Sequence, residues 1–247
     1  MSTMQDLSGE ITLVTGASRG LGRAIAEAYA RAGARVIMCA RGAAALEEAA
    51  AVVRQAAREG GSAVEARVVD VRDEDGVASL VREITERWGP ISVLVNNASL
   101  LGPRVPLRDY PVDVWRDVID VNLTGPLILI RAVLPGMRAA GRGSIINVSS
   151  GTGNTARAEW GAYAVSKWAL EALTNNLALE ERDAGIRVNT VDPGGMRTAM
   201  RRAAYPEEDP ASVPPPEAVT GVFLWLASDE SRGVTGQRFR ARDWTPP

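Results

Sequence analysis

Near the amino end an apolar run, Ile11-Thr12-Leu13-Val14, passes into Thr15-Gly16-Ala17-Ser18-Arg19-Gly20-Leu21-Gly22. An alanine-rich stretch follows, with Leu21, Ala24, Ile25, Ala28 and Tyr29 at helical spacing and Gly33 as its stop. A strand that turns into a helix through a glycine loop is the feature that most restricts the architecture, because the helix must fold back onto a sheet containing that strand. Glycines tolerate positive φ and let backbone amides approach a pyrophosphate, and the first turn of the helix offers unpaired N–H groups to the same anion. The spacing is Gly-x3-Gly-x-Gly, not Gly-x-Gly-x-x-Gly. Gly16, Ser18, Arg19, Gly20, Leu21 and Gly22 are therefore candidate dinucleotide contacts, against the alternative of an ordinary glycine turn.

Further apolar runs near 34–40, 63–70, 91–96, 143–149, 186–192 and 235–240 alternate with helical patterns. With the first run they predict seven strands in a doubly wound, mostly parallel sheet with helices on both faces, in one α/β domain of 247 residues. The helical stretch near 112–138 is interrupted by Asn122, Gly125 and Pro126, and the one near 160–182 is long. The segment 196–216, rich in Arg, Pro and Glu, has no clear period and reads as a mobile surface loop over a substrate.

Composition removes whole classes of chemistry. There is no histidine, so a His-based triad or His-ligated zinc is excluded, and the single cysteine, Cys39, allows neither an intramolecular disulfide nor a structural zinc site. Asp plus Glu is 30 and Lys plus Arg is 28, with a pI near 5.5, so nucleic-acid and membrane partners are not expected. No apolar run is expected to reach membrane-spanning length, residues 1–10 do not read as a leader, and a reducing, cytoplasmic setting is expected.

Of the 28 basic residues 27 are arginine, and the lone lysine, Lys167, follows Tyr163 by four positions. Residues four apart share one face of a helix, so the phenol and the ammonium can enter one pocket. A lysine ammonium is a compact charge able to bond a ribose hydroxyl and lower a neighbouring phenol's pKa, a task for which the rigid arginine fork is poorly suited.

Taken together, Thr15 to Gly22, Asp70-Val71, Asn96-Asn97-Ala98, Asn122, Ser149-Ser150, Tyr163-x3-Lys167 and Pro193-Gly194 resemble the short-chain dehydrogenase/reductase family, in its compact single-domain branch, across essentially the whole chain. The resemblance implies that Tyr163 is the general acid–base in hydride exchange with a nicotinamide and that Lys167 tunes the phenol and bonds the nicotinamide ribose. Ser150 would hold the substrate oxygen, with Ser149 as the neighbouring alternative on the opposite side of the strand. Asn122 would help hold a water linking the lysine to solvent, or satisfy a local helix break, or both. Asp70 and Val71 would meet the adenine, Asn97 and Ala98 the adenine-ribose side, and Pro193, Gly194 and Thr198 the carboxamide.

Cofactor choice turns on the residues after the second strand. NAD needs a carboxylate on its ribose, whereas the phosphate of NADP wants arginine. Arg41 follows that strand directly, the nearest later acidic residue is Glu47, and Arg19 lies in the glycine loop, so NADP is favoured over NAD. Expected, then, is an NADP-dependent interconversion of a small-molecule carbonyl and alcohol. The alternatives are a catalytically silent cofactor-binding regulator or scaffold, and a double-bond reductase or epimerase on the same fold. Residues 100–103, 152–154 and 196–216, with Trp160, would surround the substrate.

Two departures from the family pattern are Ser99, where glycine usually continues the Asn-Asn-Ala run, and the tail from Arg240 to Pro247, where Asp-Gly-Gly is usual. The resemblance also implies a homotetramer paired through the two long helices.

Overall fold

The computed structural model describes residues 5–247. Elements follow in the order β1 (Ile11–Thr15), α1 (Gly20–Arg31), β2 (Arg35–Ala40), α2 (Ala43–Gly60), β3 (Val64–Val68), α3 (Glu74–Trp88) and β4 (Val93–Asn96). The second half contains α4 (Val112–Ile119), α5 (Gly125–Ala140), β5 (Gly143–Val148), α6 (Gly161–Glu180), β6 (Ile186–Asp192), α7 (Ala199–Ala204), α8 (Gly221–Ala227) and β7 (Arg238–Arg240). The seven strands lie in the order β3-β2-β1-β4-β5-β6-β7, and every pairing is parallel.

A parallel sheet covered on both faces needs apolar residues at successive positions, because neighbours in a strand point to opposite sides. Val14, Met38, Val95, Ile146 and Val191 pack with α1, α2 and α8 on one face. Leu13, Ile37, Leu94, Ile145 and Val188 pack with α3, α5 and α6 on the other. Strand order reverses at β1, whose neighbours are β2 and β4, and a crevice beyond the strand carboxyl ends at such a point is where open α/β sheets take ligands.

Two expectations are corrected. The stretch 112–138 is not interrupted: α4, a π-helical turn at Asp120–Thr124 and α5 form one continuous helix. Pro126 has no N–H for the carbonyl four residues back, that of Asn122, and the wider turn absorbs the mismatch. The resulting Val112–Ala140 helix is long and apolar enough to cross a membrane by length and composition, the one such helix among the described residues. Its buried residues Leu129, Ile130, Val133 and Met137 join the core facing the sheet. Segment 196–216 is also structured: it holds α7 and a short turn at Pro210–Ser212, runs into another at Pro216–Val219, and Arg201 bonds Glu208 with both ends of its guanidinium at 2.7 and 2.6 Å. The reading of residues 1–10 falls partly outside the described residues.

Candidate active site

The glycine loop is built for close approach. Gly16 has φ of +64°, and a Cβ there would lie 2.9 Å from the Ala98 Cα; at Gly22 it would lie 2.5 Å from the Gly16 carbonyl oxygen. The loop is fixed from β4 by Asn97, whose Nδ2 donates to the Thr15 carbonyl at 2.8 Å, while the Thr15 hydroxyl accepts from Asn97 and Ala98 N–H at 3.0 Å each. Arg19 precedes α1 without a side-chain cap, so the first-turn N–H groups of that helix keep their capacity for an anion. Thr198 caps α7 by accepting from the Arg201 N–H, and its methyl group lies beside Gly20. The loop and the segment after Pro193 thus come together.

Beyond the ends of β5 and β6 stand Ser150, Tyr163 and Lys167. The Ser150 hydroxyl stands beside the Tyr163 phenol, close enough to lower its pKa, and accepts from the Thr152 N–H at 3.3 Å. Ser149 points the other way, is buried and donates to Glu171. The Lys167 ammonium lies 5.6 Å from the Tyr163 ring centre and donates to the Val148 carbonyl at 2.8 Å. Burial pushes the phenol up to about 12, opposed by the Ser150 hydroxyl and reinforced by the Asp192 carboxylate. Burial also pushes Lys167 down to about 8, with Glu171 acting against it.

Asn122 sits in the π-helical turn with its amide fully engaged. It accepts from Leu100 N–H at 2.8 Å and the Ser99 hydroxyl at 3.1 Å, and donates to the Leu100 carbonyl at 2.9 Å and the Ser166 hydroxyl at 3.0 Å. It reaches α6 through Ser166, beside Lys167, and secures the chain leaving β4. The serine at 99, where the family usually has glycine, contributes to that anchorage.

Arg41 and Asp70 are neighbours, 3.9 Å apart, with Arg41 half exposed. Asp70 is held more tightly by Arg72 at 2.8 Å, and that hydrogen bond keeps its carboxyl below the usual range. Glu47 is occupied by Arg54. Val71 packs against Gly125 at the start of α5. Gly194 donates its N–H to Asp192 at 3.0 Å, and the Arg242 side chain lies over it.

Around the mouth, Trp160 lies 5.6 Å from Tyr163 and 6.0 Å from Tyr205, ring centre to ring centre. The Arg104 guanidinium sits 5.1 Å from Trp160 and 5.2 Å from Tyr205 and donates to the Ala204 carbonyl at 2.7 Å. These contacts tie α7 to the chain after β4. Trp244 of the tail packs on Trp225 within the same chain, at 5.8 Å. A separate recess of about 790 Å3, lined by Glu10, Arg142, Arg187 and Asp229 among others, opens at the amino ends of the strands and shares no residue with this cluster.

Sequence reasoning missed Arg104, Glu171, Asp192 and Arg238. Glu171 carried a usable signal, since it follows Lys167 by four on the same helical face.

A seven-stranded parallel sheet with a glycine-loop crevice and a Ser-Tyr-Lys cluster at its carboxyl edge defines a dinucleotide-binding oxidoreductase architecture. The profile of the short chain dehydrogenase family matches residues 10–209, and the chain belongs to the short-chain dehydrogenase/reductase family. It is 37% identical over 243 residues to the uncharacterized oxidoreductase YciK of Escherichia coli strain K12, covering 98% of this chain and 95% of that one. A short chain dehydrogenase from Escherichia coli CFT073, complexed with NADPH, is similar at a TM-score of 0.91 and 37% identity over 97% of this chain and 99% of that chain. One from Shigella flexneri 2a strain 301, complexed with NADP, is similar at 0.91 and 36% over 97% and 100%.

Proposed function

We propose that the protein is an NADP-dependent oxidoreductase that interconverts a carbonyl and a secondary alcohol, with Tyr163 as general acid–base. The observation that carries this reading is the placement of the Ser150 hydroxyl beside the Tyr163 phenol, with a buried ammonium one helical turn away, 5.6 Å from the ring centre. Burial alone makes the phenol a worse acid–base near neutrality, so a nearby positive charge is what catalysis requires, and Lys167 supplies it.

A nicotinamide dinucleotide, when bound, supplies or accepts the hydride. The glycine loop and the α1 N-terminus would hold its pyrophosphate, and Asn97 and Ala98 its adenine ribose. Asp70 and Val71 would meet the adenine, Lys167 the nicotinamide ribose, and Pro193, Gly194 and Thr198 the carboxamide. In the reducing direction Ser150 orients the carbonyl oxygen, and the Tyr163 O–H gives it a proton as the carbon gains its hydride. The ammonium of Lys167 stabilises the phenolate left behind. In the oxidising direction the phenolate takes the alcohol proton. Asn122 would support reprotonation by anchoring the chain beside α6.

NADP is supported by the exposed guanidinium of Arg41 and by Arg19, with Glu47 already engaged, and by the NADP and NADPH complexes of similar chains. Apolar side chains left exposed on the long helices, Val112, Leu127, Val165 and Trp168, support a homotetramer.

Tyr163→Phe provides the test. Turnover with a panel of aldehydes and ketones is expected to fall at least ~100-fold, the usual scale of acid–base catalysis. NADPH affinity by fluorescence titration should be retained. Near-native turnover in the variant would overturn the assignment.

A further inference from the structure

We infer that Arg238, on the last strand, is a positioning residue for the Ser150-Tyr163-Lys167 cluster, joining the three segments that carry it through a pair of carboxylates, one buried and one partly buried. The inference rests on the reading of that cluster given above, and it concerns a residue beyond the 10–209 span of the family match.

β7 pairs with β6 so that Arg238 lies opposite Thr190, with its side chain reaching the end of β5 and the middle of α6. Its Nε donates to Glu171 Oε1 at 3.0 Å, and its Nη2 donates to the Ser150 carbonyl and to Asp192 Oδ2, both at 3.0 Å. Each acceptor belongs to a different part of the site. Ser150 carries the hydroxyl that meets the phenol. Glu171 lies one helical turn beyond Lys167 and also accepts from the Ser149 hydroxyl and from the Thr190 hydroxyl, the latter at 2.7 Å. Asp192 receives the Gly194 N–H, so it shapes the Pro193-Gly194 turn.

The three charged side chains are only 22% (Arg238), 14% (Glu171) and 9% (Asp192) exposed. Carboxylates so placed need partners, and removing one member of a buried charge cluster leaves the others uncompensated. The guanidinium fork answers both carboxylates and one carbonyl at fixed angles, which an ammonium cannot do. The groups around the Tyr163 phenol are Ser150 at the end of β5, Asp192 at the end of β6, Lys167 on its own helix and Trp160 at its mouth; Glu171 and Arg238 stand behind them. Loss of Arg238 would therefore loosen the serine and leave Asp192 less compensated beside the phenol.

Three variants form the experiment, each checked for folding by thermal melting and for cofactor by NADPH titration. Arg238→Met is expected to lower kcat by about tenfold to 100-fold, the cost of a small misplacement of reacting groups, while the NADPH dissociation constant stays within about twofold. The midpoint of the rising pH limb for alcohol oxidation should move upward. Arg238→Lys should restore that midpoint, because the charge returns, and recover kcat only in part, because the fork does not. If Arg238→Met fails to fold, the neutral set Glu171→Gln, Asp192→Asn, Arg238→Met removes the unpaired charges, and its kcat should still be reduced with the midpoint not raised. Unchanged kcat and midpoint in Arg238→Met, or native kcat in the neutral set, would overturn the positioning role. Retained turnover in Tyr163→Phe would instead remove the underlying cluster assignment, so the two failures are separable.

Discussion

Lys167→Met should make the folded protein more stable while abolishing its proposed function. The ammonium is 2% exposed, and burial pushes its pKa from 10.5 down to about 8. That displacement corresponds to about 3 kcal/mol by which folding disfavours the charged lysine at neutral pH. Methionine fills a similar volume without charge, but it strands the Val148 carbonyl, to which Lys167 donates, at about 1–2 kcal/mol. The net expectation is a gain of about 1–2 kcal/mol at pH 7. Its sign with pH follows from the depressed value: between about 8 and 10.5 the unfolded lysine still holds its proton while the folded one has lost it. Wild-type stability from this group therefore rises with pH across that window, and the advantage of the methionine variant shrinks.

Urea unfolding of both proteins at pH 7, 8, 9 and 10, without cofactor, measures the difference directly. Tyr163 titrates above this range in the folded state, and its unfolded-state titration near 10 is the same in both proteins, so it does not obscure the comparison. A variant less stable than wild type at pH 7, or a difference that stays constant from pH 7 to 10, would refute the claim that Lys167 is held as a costly buried charge. NADPH-linked turnover in the same variant should be lost.

Gly22→Ala places a Cβ 2.5 Å from the Gly16 carbonyl, so the loop must shift. A stability loss of about 1–3 kcal/mol is expected by thermal melting, with weaker NADPH binding; unchanged values would argue against a rigid loop. Arg41→Ala should weaken NADPH binding by about 10- to 100-fold, the scale of a charge-assisted bond, and leave NADH binding nearly unchanged; equal effects on both would remove Arg41 from the phosphate site.

Much of the fold was legible because it depends on local signals. The glycine loop after Val14 names one βα unit, and paired apolar positions such as Leu13 and Val14, one for each face, mark a doubly covered sheet. Tyr163 and Lys167 were legible for the same reason, being a helical turn apart. Segment 196–216 was opaque because α7 has six residues, too few to display a period, and the remaining turns are set by prolines and by the Arg201 to Glu208 pair. The continuity of Val112–Ala140 was hidden by Pro126, since the sequence marks a broken hydrogen bond but not the π-helical turn that absorbs it. Arg238 was hidden by distance along the chain, 67 residues from Glu171 and 46 from Asp192, among 26 other arginines that the sequence does not distinguish from it.

The cluster also explains why one lysine persists in a chain that otherwise uses arginine. Lys167 and Arg238 together oppose Glu171 and Asp192, so the four charges, two buried and two partly buried, cancel formally, yet the two cations are not equivalent. A guanidinium stays protonated and bonds along fixed directions, which suits joining three segments whose relative positions must not change. An ammonium is small and needs only one protein acceptor here, which suits the proposed role of a group whose field acts on a phenol and whose remaining donors stay available. Exchanging the two, with lysine at 238 and arginine at 167, would keep the charge count and yet remove both the rigid joint and the compact charge. The charge count would be the same either way, so in the proposed chemistry it matters which cation stands where.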